Sequence, residues 1–150
     1  MSRRRGMSLW ELTAVVTLMA IVAAIVVGRN GRSLVGNYAS QADARRVGLA
    51  LLQAKRRTIS SGVTHGVLLN SSGGNITSFS VVSIVGGVPT VVDGPTSFSS
   101  DLTVTASHTQ LTFDFEGQAG AAYWVQLGGP SITWRIDVTP LTGAVSTTKL

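Results

Sequence analysis

The sequence predicts an α+β chain in which one long N-terminal helix, first transmembrane and then amphipathic, packs on a C-terminal antiparallel β-sheet domain. Three observations carry this. No charge falls between Leu12 and Gly28. Apolar residues then recur at intervals of three, four or seven as far as Ile59. Beyond Gly62 the apolar period drops to two, and Gly-, Asn- and Pro-rich turns punctuate short segments.

The apolar run from Met7 to Val27 makes about 30 Å of helix, which matches the hydrocarbon thickness of a bilayer. It is apolar on all sides rather than along one stripe, as expected of a helix in lipid or in a helical bundle. Trp10 suits a headgroup boundary at one end, and Arg29 and Arg32 follow the other. Arg3, Arg4 and Arg5 precede it, which leans towards a cytoplasmic N-terminus. A secretory signal peptide shares these parts, but the run is longer than a signal core and no small-x-small cleavage site follows it. Glu11 stands at the mouth of the run. A carboxylate costs about 2.5–3.5 kcal/mol at the centre of a membrane helix and less near the interface. Glu11 therefore calls for a partner or a task.

Residues 29–61 read as the amphipathic continuation of the same helix. Leu34, Tyr38, Ala42, Leu49, Leu52 and Ile59 form its apolar stripe, with Leu49, Leu52 and Ile59 expected to cover the sheet. Lys55, Arg56 and Arg57 read as a solvated helix end, favoured by the helix dipole, and Gly62 as the C-terminal cap.

From residue 62 to 150 the pattern is that of strands. Candidates are Val63–Leu69, Ile76–Val85, a short Pro89–Val92 broken by Asp93-Gly94-Pro95, Leu102–Ala106, Leu111–Phe115, Tyr123–Leu127, Ile132–Val138 and Ala144–Thr147. Asn70 to Asn75 reads as a turn. Alternation puts Leu111, Phe113 and Phe115 on one face, with Asp114 and Glu116 together in solvent. Ile132, Trp134, Ile136 and Val138 are likewise expected to face inward.

The formal charge of +5 is misleading as a pointer to nucleic acid. Basic residues crowd the N-terminal stub and residues 29–57. From Thr58 onward only Arg135 and Lys149 oppose Asp93, Asp101, Asp114, Glu116 and Asp137. Phosphate binding needs clustered Lys and Arg, so a nucleic-acid partner is disfavoured. Zero cysteines remove disulfides and thiolate chemistry. His65 and His108 lack the carboxylate support of a metal site, and no nucleophile elbow, phosphate loop or His-Glu-x-x-His motif occurs. No catalytic residue, metal or cofactor is expected.

Arg5-Gly6 followed by Met7-Ser8-Leu9-Trp10-Glu11 and an apolar helix resembles the class III leader of type IV pilins and type II secretion pseudopilins. The resemblance implies a leader of residues 1–6, with Arg3, Arg4 and Arg5 as its charge. It implies cleavage between Gly6 and Met7 by a prepilin peptidase, and N-methylation of Met7. Glu11, fifth in the mature chain, would pair with the terminal ammonium of a neighbouring subunit during filament assembly, each charge offsetting the other in lipid. Two features depart from the family's commonest pattern: Met7 stands where phenylalanine is usual, and no proline precedes Pro89.

Within that group, one helix followed by many short strands is similar to the H-type pseudopilins and the related FimT/FimU minor pilins. Ala44 to Lys55, Phe113-Asp114-Phe115-Glu116-Gly117, and Ile136-Asp137-Val138 leading to Thr142-Gly143 carry that similarity. It implies a pilin-like fold: leader 1–6, transmembrane and assembly helix 7–28, amphipathic helix 29–61 and periplasmic β-rich domain 62–150. The implied function is that of a non-enzymatic minor pseudopilin of a type II secretion system. It would sit as a single-pass protein in a bacterial inner membrane, with the lipid bilayer, prepilin peptidase, other major and minor pseudopilins and the inner-membrane assembly platform as partners. Two other readings stand beside it. One is a FimT/FimU-type minor pilin of a type IV pilus, serving pilus assembly or DNA uptake. The other is a membrane-anchored periplasmic enzyme or binding protein with an accidental leader match.

Overall fold

The computed structural model describes the backbone of residues 8–150 and the side chains of that span apart from residues 29–34. One helix, α1 (Leu9–Ser61), precedes eight strands. The chain divides into two units, the first ending at Val35 and the second running Gly36–Leu150. In the first, Leu9–Gly28 has a mean hydropathy of 2.3 and is wholly exposed.

The second unit holds two antiparallel sheets. β1 (His65–Ser72), β2 (Asn75–Val85), β3 (Val88–Ser97) and β5 (Gln110–Phe113) form one, in the order β3-β2-β1-β5. β4 (Thr103–Ala106), β6 (Tyr123–Gly128), β7 (Thr133–Val138) and β8 (Val145–Lys149) form the other, in the order β4-β6-β7-β8. Opposed pairs build the interior: Val67 sits across from both Val81 and Leu111, and Val125 from Ile136. Cross-strand apolar pairs of this kind contribute roughly 0.2–1 kcal/mol each relative to alanine.

The face of α1 that closes this core is made of Ala44, Val47, Ala50, Leu51, Ala54 and Thr58, all buried. This corrects the expected stripe. Leu49 is 65% exposed and Ile59 54%, and Leu52 is also on the exposed side. At about 100° per residue, Leu49 lies half a turn of the helix away from Val47. The buried face interleaves Ala44, Ala50 and Ala54 with the larger Val47 and Leu51. A Cβ added at the neighbouring Gly48 would stand 3.6 Å from the Thr147 hydroxyl, in ordinary van der Waals contact.

A buried polar contact ties α1 to the loop before β4. Asp43, 1% exposed, accepts hydrogen bonds from the Ser99 amide (2.9 Å) and hydroxyl (3.0 Å), and its other oxygen takes Arg46 Nη1 at 3.1 Å. The end of α1 forms as expected. Gly62 has φ +70° and its amide donates to Thr58 O. The cation cluster before it divides. Lys55 is not a solvated end group: its Nζ donates to Thr142 O (2.7 Å) and Gly143 O (3.2 Å), pinning the turn between β7 and β8.

Three strand expectations are also corrected. β3 continues through Asp93-Gly94-Pro95 as an edge strand, with the register shift around Val81 absorbing the irregularity. Proline is tolerated on such an edge because no ladder bond is lost there. β1 extends to Ser72, so only Gly73-Gly74 make the turn. Phe115 leaves the face of Leu111 and Phe113 because β5 ends at Phe113 and the chain turns, with Gly117 N donating to Asp114 O; Phe115 is 65% exposed. In β7, Ile136 and Val138 are buried as expected, while Trp134 is only half-buried.

Candidate functional site

The first turn of α1 holds the one acidic group of the apolar helix. Ser8 precedes the helix, and its hydroxyl accepts the Glu11 amide at 3.2 Å. Glu11 Oε2 in turn accepts the Ser8 amide at 3.1 Å. This is a capping box, in which two otherwise unpaired amides of a helix start are satisfied reciprocally. Glu11 Oε1 accepts no hydrogen bond among the described residues. The next hydroxyls look after themselves: Thr13 Oγ1 donates to Leu9 O (2.7 Å), and Thr17 Oγ1 to Thr13 O (2.7 Å). The two threonine hydroxyls of this stretch are thus paired inside the helix, as a bilayer demands.

The magnitudes are close. A cap contributes about 0.5–2 kcal/mol, and a negative charge near a helix start a further 0.3–1. The penalty for a carboxylate at a membrane's edge is below about 2.5–3.5 kcal/mol. The cap and the helix start therefore offset much of what a carboxylate at this position would cost in an apolar setting.

Of the residues expected to act in assembly, Glu11 falls at this turn. Gly6, Met7, Arg3, Arg4 and Arg5 lie outside the described residues. Ser8 is the residue that sequence reasoning passed over, although Ser-x-x-Glu ahead of an apolar run is a legible signature.

No protein-family model and no curated protein sequence matches the chain. Solved structures do. The minor pseudopilin EpsH of the Vibrio cholerae type 2 secretion system aligns with a TM-score of 0.60 at 14% identity, over 73% of this chain and 95% of its own. The type IV minor pilin FimU of Pseudomonas aeruginosa aligns at 0.61 and 13% identity, over 82% of this chain and 92% of its own. The fold is pilin-like. A second EpsH crystal structure agrees, with a TM-score of 0.59 at 11% identity. The likeness is one of fold, and these neighbours are structural subunits.

In this pilin-like chain the two histidines stand apart in role. His65 is buried, its amide bonded to Thr58 Oγ1 (2.8 Å) and its Nδ1 2.7 Å from Val63 O. His108 is exposed, edge-on to Tyr123 at 5.2 Å. Among the described residues no group of three or more His, Asp or Glu side chains stands close enough to hold a metal ion. The single apolar helix is compatible with a single-pass membrane anchor.

Proposed function

We propose that this chain is a minor pseudopilin of a type II secretion system, a structural subunit of a periplasmic pseudopilus. In this reading a prepilin peptidase cuts between Gly6 and Met7 and methylates the new amino group of Met7. The subunit waits in the inner membrane, N-terminus on the cytoplasmic side, held by its apolar helix. Assembly platform and neighbouring pseudopilins then draw it into the filament. Glu11 Oε1 accepts the terminal ammonium of an adjacent subunit while Oε2 keeps the Ser8 amide, so docking gains an ion pair without unmaking the cap. The globular unit faces the periplasm. The chain makes and breaks no bond itself.

The observation that carries this reading is the combination of a pilin-like fold with a fully exposed apolar helix whose only carboxylate sits in its first turn, capping it. Its test is the mass of the N-terminal peptide from the membrane-extracted protein. A peptide beginning at N-methylated Met7 is expected. An intact Met1 rejects the reading in favour of an anchored enzyme or binding protein.

A minor pilin of a type IV pilus is the second reading, supported by the FimU alignment, whose TM-score of 0.61 stands beside 0.60 for EpsH. Deletion separates the two: loss of protein secretion with pili intact marks the first, and loss of pili the second. A gel-shift with duplex DNA tests the DNA-uptake variant, and the acidic balance after Thr58 predicts no retardation at physiological salt.

A further inference from the structure

One groove on the outer face of α1 holds cations that the fold does not pair. Leu49, Leu52, Gln53, Arg56 and Arg57 stand at positions i, i+3, i+4, i+7 and i+8, a single stripe about 12 Å long. They line an open cavity of about 330 Å³. Leu49 is 65% exposed and Leu52 38%. Arg56 is exposed, whereas Gln53 and Arg57 are half-buried.

Arg57 is the unusual member. Its Nη1 is buried and has no hydrogen-bond partner among the described residues. Two other cations of α1 are already engaged, Arg46 by Asp43 and Lys55 by the carbonyls of Thr142 and Gly143. Neither Arg56 nor Arg57 has an ion-pair partner among the described residues. Withdrawing a guanidinium from water without a counter-charge is unfavourable, and a well-placed carboxylate offsets it. The stripe thus combines unmet positive charge with exposed apolar surface. A phosphate surface, of lipid or nucleic acid, calls for a wider field of cations than two guanidinia beside two leucines. A carboxylate flanked by apolar side chains matches both halves.

We propose that this groove binds a carboxylate carried on an apolar segment of an unlike subunit of the same assembly. Arg56 and Arg57 take the carboxylate, and Leu49 and Leu52 pack on the residues beside it. The inference rests on the filament-subunit reading, in which a minor subunit has unlike neighbours. It names the chemistry by which one of them is held.

The test places photoreactive p-benzoylphenylalanine at Leu49 of the full-length protein in its native membrane. Illumination is expected to give an adduct with an unlike pilin-like subunit, and mass spectrometry to place the link on an apolar segment that contains Asp or Glu. Arg56→Glu with Arg57→Glu should lower the yield about tenfold, and reversing the partner's carboxylate to arginine should restore it, which also shows that the variant folds. Arg57→Met keeps the apolar stem and removes the charge. It should lower the yield too, while leaving the Tm of the isolated subunit unchanged or higher. A fall in Tm on Arg57→Met would mean that the fold itself uses the charge, and would overturn the proposal. So would the absence of an adduct, a link to a segment without a carboxylate, a link to a second copy, to lipid or to a protein of another kind, or indifference to charge reversal. Where Met7 is the processed N-terminus and the adduct is absent, only this groove loses its role; an unprocessed chain removes the filament reading itself.

Discussion

Ser8 and Glu11 satisfy one another's backbone amides across the first turn of α1, at 3.1 and 3.2 Å. The pair changes what a carboxylate at a bilayer's edge has to explain. One of its oxygens, Oε2, caps the helix start, and among the described residues Oε1 accepts no hydrogen bond. Capping is thus one function of this side chain, and the proposed intersubunit pairing would be a second, separable from it.

Removing the cap alone should loosen the first turn without touching the charge. Ser8→Ala should cost about 0.5–2 kcal/mol locally. In detergent or nanodiscs this appears as faster hydrogen exchange at the amides of residues 10–12, with Ser8→Thr restoring protection. Unchanged exchange in Ser8→Ala would mean that the box contributes nothing in lipid.

Asp43 predicts an asymmetry within one ion pair. Asp43→Ala leaves the Ser99 amide and hydroxyl without their acceptor, at a cost of about 1–3 kcal/mol. Arg46 is 59% exposed in its side chain, so Arg46→Ala should stay within about 1 kcal/mol. Thermal unfolding of the two variants checks this, and equal losses would contradict it.

Leu51 and Leu49, two residues apart, should answer oppositely to truncation. Leu51→Ala empties a fully buried position and should destabilise by about 2–5 kcal/mol. Leu49→Ala, at a position 65% exposed, should change stability by no more than about 0.5 kcal/mol. Chemical denaturation measures both, and equal losses would contradict the assignment of the buried face.

The contrast between those leucines also marks what a reader of the sequence could see. The uncharged run, the stop at Gly62 and the alternation of Leu111 with Phe113 and of Ile136 with Val138 follow from local rules, and the structure contains all of them. The inner face of α1 does not. Leu49, Leu52 and Ile59 make the stripe that spacing alone picks out, yet Ala44, Val47, Ala50, Leu51 and Ala54 are the buried face, and nothing local to the helix marks which of the two apolar stripes meets the sheets. Phe115 misleads for a similar reason: period two places it inward only while the strand lasts, and β5 stops at Phe113. Lys55 reads as a solvated cation until the turn of Thr142 and Gly143 folds over it, a contact 87 residues distant in the chain. At the candidate site, Glu11 stands out by its charge alone. Ser8 required the cap to be read together with it.

The most direct test of the assembly account is Glu11→Gln, because glutamine keeps the capping box while deleting the charge. The measurement is the fraction of processed subunit recovered in filaments, compared among wild type, Glu11→Gln and Glu11→Ala. The account predicts normal processing at Gly6–Met7 in all three, and near-absent incorporation of both variants. Wild-type incorporation of Glu11→Gln would contradict it, leaving Glu11 as the cap of its own helix and nothing more.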